Sequence, residues 1–221
     1  MMRSDVVSKQ RSGLFSTKQL VTIGLLSALA YVLMLIHLPF KYLGFLEVEF
    51  SDIPAVIAAL AYGPFAGVVV ELIKNLIKAL TASSTGMVGE LANFLISSAF
   101  IVPVGVLHKL RIRKNCQTVA NNSSDTKSRD VFYTVFMFAL ATITMAAAGV
   151  LLNYFVTLPL YAKLFGGMDV VVGIASKNLS AIKSLAGLVI IGITPFNIFK
   201  GIYISIIGYY TYRFLKGSII Q

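Results

Sequence analysis

The feature that most constrains this chain is a series of apolar runs long enough to cross a lipid bilayer. A hydrocarbon core of about 30 Å needs roughly 20 such residues in a helix. Leu20 to Leu38 is the first, interrupted only by Thr22, Ser27, Tyr31 and His37. It follows a basic leader (Arg3, Lys9, Arg11, Lys18), but it is too long for a signal-peptide core and no Ala-x-Ala cleavage pattern follows it. It reads as a first transmembrane helix. Backbone groups in lipid must be satisfied within the segment, so helical spans are the expected solution.

Further spans are read from the same pattern. Lys41 to Phe50 is a mixed loop. Ser51 or Asp52 then caps a short helix with Pro54 in its first turn, ending at Tyr62 before Gly63-Pro64. Phe65 to Leu80 makes a third helix, Thr81 to Gly89 a polar turn and Val88 to Leu110 a fourth helix. A hydrophilic linker covers 111–130, and Val131 to Leu158 is a fifth helix. Residues 161–183 are mixed, and Ser184 to Ile193 is apolar but too short to span. Thr194-Pro195 reads as an N-cap with Pro in the first turn of a sixth helix ending at Phe214. The expected domain plan is a leader over 1–18, one six-helix membrane domain over 19–216 and a tail over 217–221.

Of 221 residues, 57% are hydrophobic and 13% charged, against roughly 25% charged in soluble domains. The net charge of +10 is explained by topology. With a cytoplasmic N-terminus, twelve of the nineteen Lys and Arg fall in inner segments and four in outer loops, while Lys74, Lys78 and Lys200 lie in the membrane. This obeys the positive-inside rule. Binding of anionic lipid headgroups is a secondary reading of the same charge, and a nucleic-acid partner is not expected, because too few charges exist to build a binding face. The single cysteine, Cys116, permits neither an intrachain disulfide nor a cysteine metal cluster. It reads as an ordinary reduced thiol.

Polar groups inside a bilayer are costly and therefore mark function. Glu90 and Asn93, Asn153, and Asn197 and Lys200 all fall near the outer ends of their helices, with Glu47 and Glu49 in the loop after the first span. The i,i+3 spacing of 90/93 and 197/200 puts each pair on one helical face. Together they converge on an outward-facing cavity. Glu71, Lys74, Asn75 and Lys78 form a polar stripe on the third helix, in which Glu71 and Lys74 can simply neutralise one another. His37 and His108 read as interfacial. No Gly-x-x-x-x-Gly-Lys-Ser/Thr loop, His-Glu-x-x-His or Gly-x-Ser-x-Gly motif occurs, so binding or transport is a better class than catalysis.

Five pieces in this order resemble one family. They are Phe50-Ser-Asp-Ile-Pro-Ala55, Gly63-Pro64 with Glu71-Leu-Ile-Lys-Asn75, Gly89-Glu-Leu-Ala-Asn93, Asn153-Tyr-Phe, and Thr194-Pro-Phe-Asn-Ile-Phe-Lys200. The chain resembles the substrate-binding S components of energy-coupling-factor (ECF) vitamin transporters, in their riboflavin branch. The resemblance implies an all-α six-helix bundle with a short second helix and a substrate-covering loop after the first. It implies a non-enzymatic protein of a bacterial cell membrane, with both termini cytoplasmic and no cofactor beyond the riboflavin it carries. Its partners would be a transmembrane coupling protein and two ATPase subunits. By the same resemblance Asn153, Asn197 and Lys200 meet the flavin ring, and Glu47 and the backbone at Leu46 form a lid. Gly86, Glu90 and Asn93 line the cavity, and Gly24 and Ala28, a small-xxx-small pair, supply the docking face. Two alternatives stand beside this reading: an S component for another vitamin, and a stand-alone ion-coupled carrier.

Overall fold

The computed structural model describes residues 15–36, 41–83, 85–118 and 126–216. Four helices among them are long and apolar enough to cross a membrane: Thr17–Leu35, Val88–Lys114, Asp130–Phe165 and Leu185–Lys216. The first, α1 (Thr17–Leu35), opens with a capping box in which the Ser16 hydroxyl accepts from the Gln19 N–H and the Gln19 side chain accepts from the Ser16 N–H. A small hairpin follows, with two-residue strands β1 (Lys41–Tyr42) and β2 (Leu46–Glu47), in the segment read as a loop.

Next come α2 (Ile53–Tyr62) and α3 (Pro64–Thr81). Every residue of α2 from Ile53 to Leu60 is buried, so this short helix forms the axis of the bundle. Lipid tails are as apolar as leucine, so burial here is not driven by hydrophobicity. Ala55, Ala58 and Ala59 let neighbouring helices approach closely and pack well. Phe100, Ile101, Met137, Met145 and Ile204 close the core around it. Asp52 precedes α2, but its side chain makes no capping bond, contrary to the sequence reading. Its carboxylate is taken by two lysines, as described below.

Three boundaries differ from expectation. Helix α4 (Val88–Thr118) and helix α5 (Thr126–Leu152) both run into the stretch read as a 111–130 linker; residues 119–125 of it lie outside the described residues. Arg111 explains part of the extension, because its guanidinium reaches Asp130 at 2.8 Å and donates to the Thr134 hydroxyl at 2.7 Å, tying the two helices together. Beyond α5 the chain continues as a π-turn (Asn153–Thr157) into α6 (Leu158–Phe165), then α7 (Met168–Asn178), so the supposedly mixed 161–183 is largely helical. Lastly, Thr194-Pro195 does not start a helix. Ser184 is the N-cap, its hydroxyl accepting from Gly187 N–H, and α8 (Leu185–Gly187), a π-turn (Leu188–Ile193) and α9 (Thr194–Lys216) form one continuous run.

The π-turns explain the misreading. A proline lacks an N–H, and its ring clashes with the carbonyl four residues back. Pro159 and Pro195 each sit two residues beyond a π-turn, whose wider winding makes room for the ring. His108 is also corrected: it is buried, edge-on to Tyr212 at 5.7 Å, rather than interfacial. His37, the leader before residue 15, the Cys116 side chain and the tail lie outside the described residues.

Candidate functional site

Lysines and carboxylates from three segments meet in the interior, joined by Asn93 and Ser97 of α4. Asp52 is at the centre. Its Oδ1 is paired with the Lys74 ammonium, and its Oδ2 lies 2.9 Å from Lys200 Nζ and accepts from the Ser97 hydroxyl at 2.9 Å. Lys74 also reaches Glu71 at 3.0 Å and donates to the Ser51 hydroxyl at 2.9 Å. Lys200 donates to Asn93 Oδ1 at 2.9 Å and lies 3.8 Å from Glu49 Oε1. Asn93 in turn donates to Glu49 at 3.1 Å and to Asn75 Oδ1 at 3.2 Å. All three carboxylates and both ammonium groups are buried. Charges removed from water survive only when paired and hydrogen-bonded, and this network supplies that pairing across α2, α3, α4 and α9.

Above the network is a cavity of about 350 Å³, within the range of small-molecule sites. Glu49, Asn93 and Lys200 join the network to its wall. Asn153 and Thr157 come from the π-turn after α5, and Asn197 and Phe196 from the start of α9. Each asparagine spends one amide hydrogen on its own helix: Asn153 Nδ2 donates to Gly149 O at 2.8 Å, and Asn197 Nδ2 to Ile193 O at 3.1 Å. These carbonyl partners fix which end of each amide is nitrogen. Both Oδ1 atoms are left without a hydrogen-bond partner among the described residues. Because π-turns commonly mark functional sites, it is notable that one of them carries Asn153 and the other ends one turn before Asn197.

The hairpin supplies part of the lining of this cavity. Gly44, Phe45, Leu46 and Glu47 all face it. Phe45 packs edge-on to Tyr161 at 6.4 Å, Tyr42 stacks on Phe196 at 5.7 Å, and Glu47 lies 3.8 Å from Lys78. Leu43 is buried in a second apolar cluster with Leu158, Val171, Ala175, Ile182 and Leu188, and Gly192 leaves the space its side chain occupies. Aromatic faces on several sides suit a flat, ring-shaped ligand.

Seven of the eight residues expected at the site share this cavity: Leu46, Glu47, Glu90, Asn93, Asn153, Asn197 and Lys200. Glu90 also orders the preceding turn, accepting from the Ser83 and Thr85 hydroxyls. Gly86 is the exception. It is exposed in that turn with positive φ, near Leu164, while Thr85 and Gly89 face the cavity instead. Gly24 and Ala28 lie elsewhere, exposed on α1, and nothing occupies the space over Gly24. Sequence reasoning missed Asp52, Ser97, Tyr161 and Phe196. For Asp52 a signal existed: Lys74 and Lys200, buried in apolar helices, required a carboxylate beyond Glu71.

A bundle with membrane-length helices around a partly open cavity, lined by apolar and aromatic side chains with a few polar groups among them, has the build of a small-molecule binding module in a membrane. The chain belongs to the family of ECF transporter substrate-specific components, whose model matches residues 18–212. It is a transporter component and not an enzyme. It is 36% identical over 206 residues to the riboflavin transporter RibU of Staphylococcus aureus (strain TCH60), covering 93% of this chain and 94% of that one. It is 35% identical over 193 residues to the riboflavin transporter FmnP of Bacillus subtilis (strain 168), covering 86% and 87%. A structure described as "Structure and mechanism of the S component of a bacterial ECF transporter" superposes with a TM-score of 0.58 at 33% identity, covering 92% of this chain and 98% of that one.

Proposed function

We propose that the protein captures riboflavin in this cavity and delivers it to an ATP-driven ECF module. The observation that carries the reading is the pair of asparagine amides with unpartnered Oδ1 atoms on the wall of an aromatic-lined cavity, next to a buried lysine. The flavin ring edge alternates carbonyl acceptors with an N–H donor. An amide that has committed one hydrogen to its helix still offers an acceptor and a donor to such an edge. Lys200 adds a charge-assisted donor. The ribityl hydroxyls then fall to Glu47, Glu90, Asn93 and the lid backbone at Leu46.

The bundle is read as six spans, with α2 and α3 completing the four long helices. The basic residues at the C-terminal ends of α4 (Lys109, Arg111, Arg113, Lys114) and α9 (Arg213, Lys216) lie at the end of the bundle away from the cavity. This supports cytoplasmic termini, anionic lipid at that face and a cavity open to the outside. On α1 the exposed Gly24 and Ala28 allow close approach of another helix, which suits docking on a transmembrane coupling protein served by two ATPase subunits. The test is a titration of detergent-purified protein with riboflavin, followed by quenching of flavin fluorescence. Saturable quenching at one flavin per chain, below micromolar flavin, is expected. No quenching at micromolar flavin, with tight binding of a different vitamin, would reassign the ligand.

A further inference from the structure

Gly149 lies on α5 one turn before Asn153 and is not on the cavity wall. Two features tie it to both asparagines. Its carbonyl accepts the amide hydrogen of Asn153 at 2.8 Å. Across the α5–α9 contact, a methyl group on its α-carbon would sit 2.5 Å from Asn197 Nδ2, 3.1 Å from Cγ and 3.7 Å from Oδ1. The three nearest atoms to that missing methyl all belong to one side chain. Atoms in contact normally stand about 3.5–4 Å apart, so a methyl would force the Asn197 amide to move by about 1 Å. That amide is buried and bonded to Ile193 O at 3.1 Å, so the movement either breaks this bond or drives the side chain into the cavity.

Glycine inside a helix is about 1 kcal/mol less favourable than alanine. Close helix crossings in membranes commonly use it, but there the bare α-carbon faces the partner helix's backbone or apolar side chains. Here it faces the amide that the cavity presents to its ligand.

We propose that Gly149 is the positioning residue of the binding site, holding Asn153 through its carbonyl and seating Asn197 through its missing side chain. The two amides are thereby set in fixed register, each with its Oδ1 free for the ligand. The inference rests on the reading of the cavity as a riboflavin site, and the experiment separates the two. Riboflavin affinity is measured by fluorescence quenching for wild type, Gly149→Ala, Asn197→Ala and the double variant, with the melting temperature of each ligand-free protein recorded alongside.

In the wild-type background Gly149→Ala is expected to weaken binding at least tenfold, with no drop in the ligand-free melting temperature. In the Asn197→Ala background, where the methyl has room, it is expected to change affinity less than twofold. A Gly149→Ala protein that folds only in the Asn197→Ala background would show that the methyl costs the fold rather than the site, and would overturn the proposal. An effect under twofold in wild type, an equal penalty in both backgrounds, or failure to fold in both overturns it, the last two assigning Gly149 to helix packing. Absence of binding by the wild type would instead sink the riboflavin reading itself.

Discussion

Replacing Asp52 by asparagine keeps the side chain's size and removes the charge that joins two lysines. Asp52 accepts from Lys74, Lys200 and Ser97, and it is 1% exposed. An asparagine in its place can offer its one oxygen to one lysine and must turn an N–H donor toward the other. Breaking a buried ion pair by removing one partner costs about 3–5 kcal/mol. The lower end applies, since Lys74 keeps Glu71 at 3.0 Å and Lys200 keeps the Asn93 oxygen at 2.9 Å. A chain of this length loses about 2–4 °C per kcal/mol, so about 3 kcal/mol lowers the melting temperature by about 6–12 °C. The assay is thermal unfolding in detergent at one fixed scan rate, because membrane-protein unfolding is often irreversible. Lys74→Met should destabilise similarly by leaving Asp52 and Glu71 short of a cation. The double variant should cost well under the sum of the two, because the uncompensated partner has also gone. A loss below about 2 °C for Asp52→Asn, or strict additivity in the double variant, would refute the claim that these residues form one network.

Other residues give graded expectations. Leu43→Ala empties the apolar socket that anchors the hairpin, where losing a buried leucine costs at least about 2 kcal/mol; on the proposed reading of the hairpin as a cover, riboflavin should dissociate about 30-fold faster in stopped-flow displacement. Lys78→Ala removes a 3.8 Å rim pair with Glu47 whose side chains retain 12% and 21% exposure, so equilibrium titration should show affinity changed by less than about fivefold. Lys200→Met leaves Asp52 and Glu49 without their shared cation, and it should lower both riboflavin affinity and melting temperature, whereas Lys78→Ala should leave the latter unchanged.

The course of the helices was readable where apolar length decided it, as in α1 and the start of α4. It was unreadable where local rules conflict. Thr194-Pro195 satisfies every local criterion for a helix start, yet the chain passes through it as helix. The π-turn that makes this possible leaves no pattern in the residues. The extension of α4 and α5 past residues 111 and 130 depends partly on a long-range contact, Arg111 with Asp130, which no window of sequence reveals. At the site, depth in the membrane placed Asn153, Asn197 and Lys200 on a common level, and all three line the same cavity. Asp52 was hidden by a double meaning. Before Ile53-Pro54 it looks like a helix cap, and only the position of Lys200, 148 residues later, shows what its carboxylate does. Gly86 fell outside the cavity because its turn carries Thr85 and Gly89 inward instead.

The central claim is that one cavity, walled by Asn153, Asn197 and Lys200 and covered by the hairpin over 41–47, holds riboflavin. The most direct measurement is an experimental structure determined with riboflavin present. The expected result is one flavin per chain, its ring edge within hydrogen-bond distance of both asparagine amides and its face against Phe45, Tyr161 or Phe196. Flavin bound elsewhere on the bundle, or this cavity found empty at saturating riboflavin, would contradict the account.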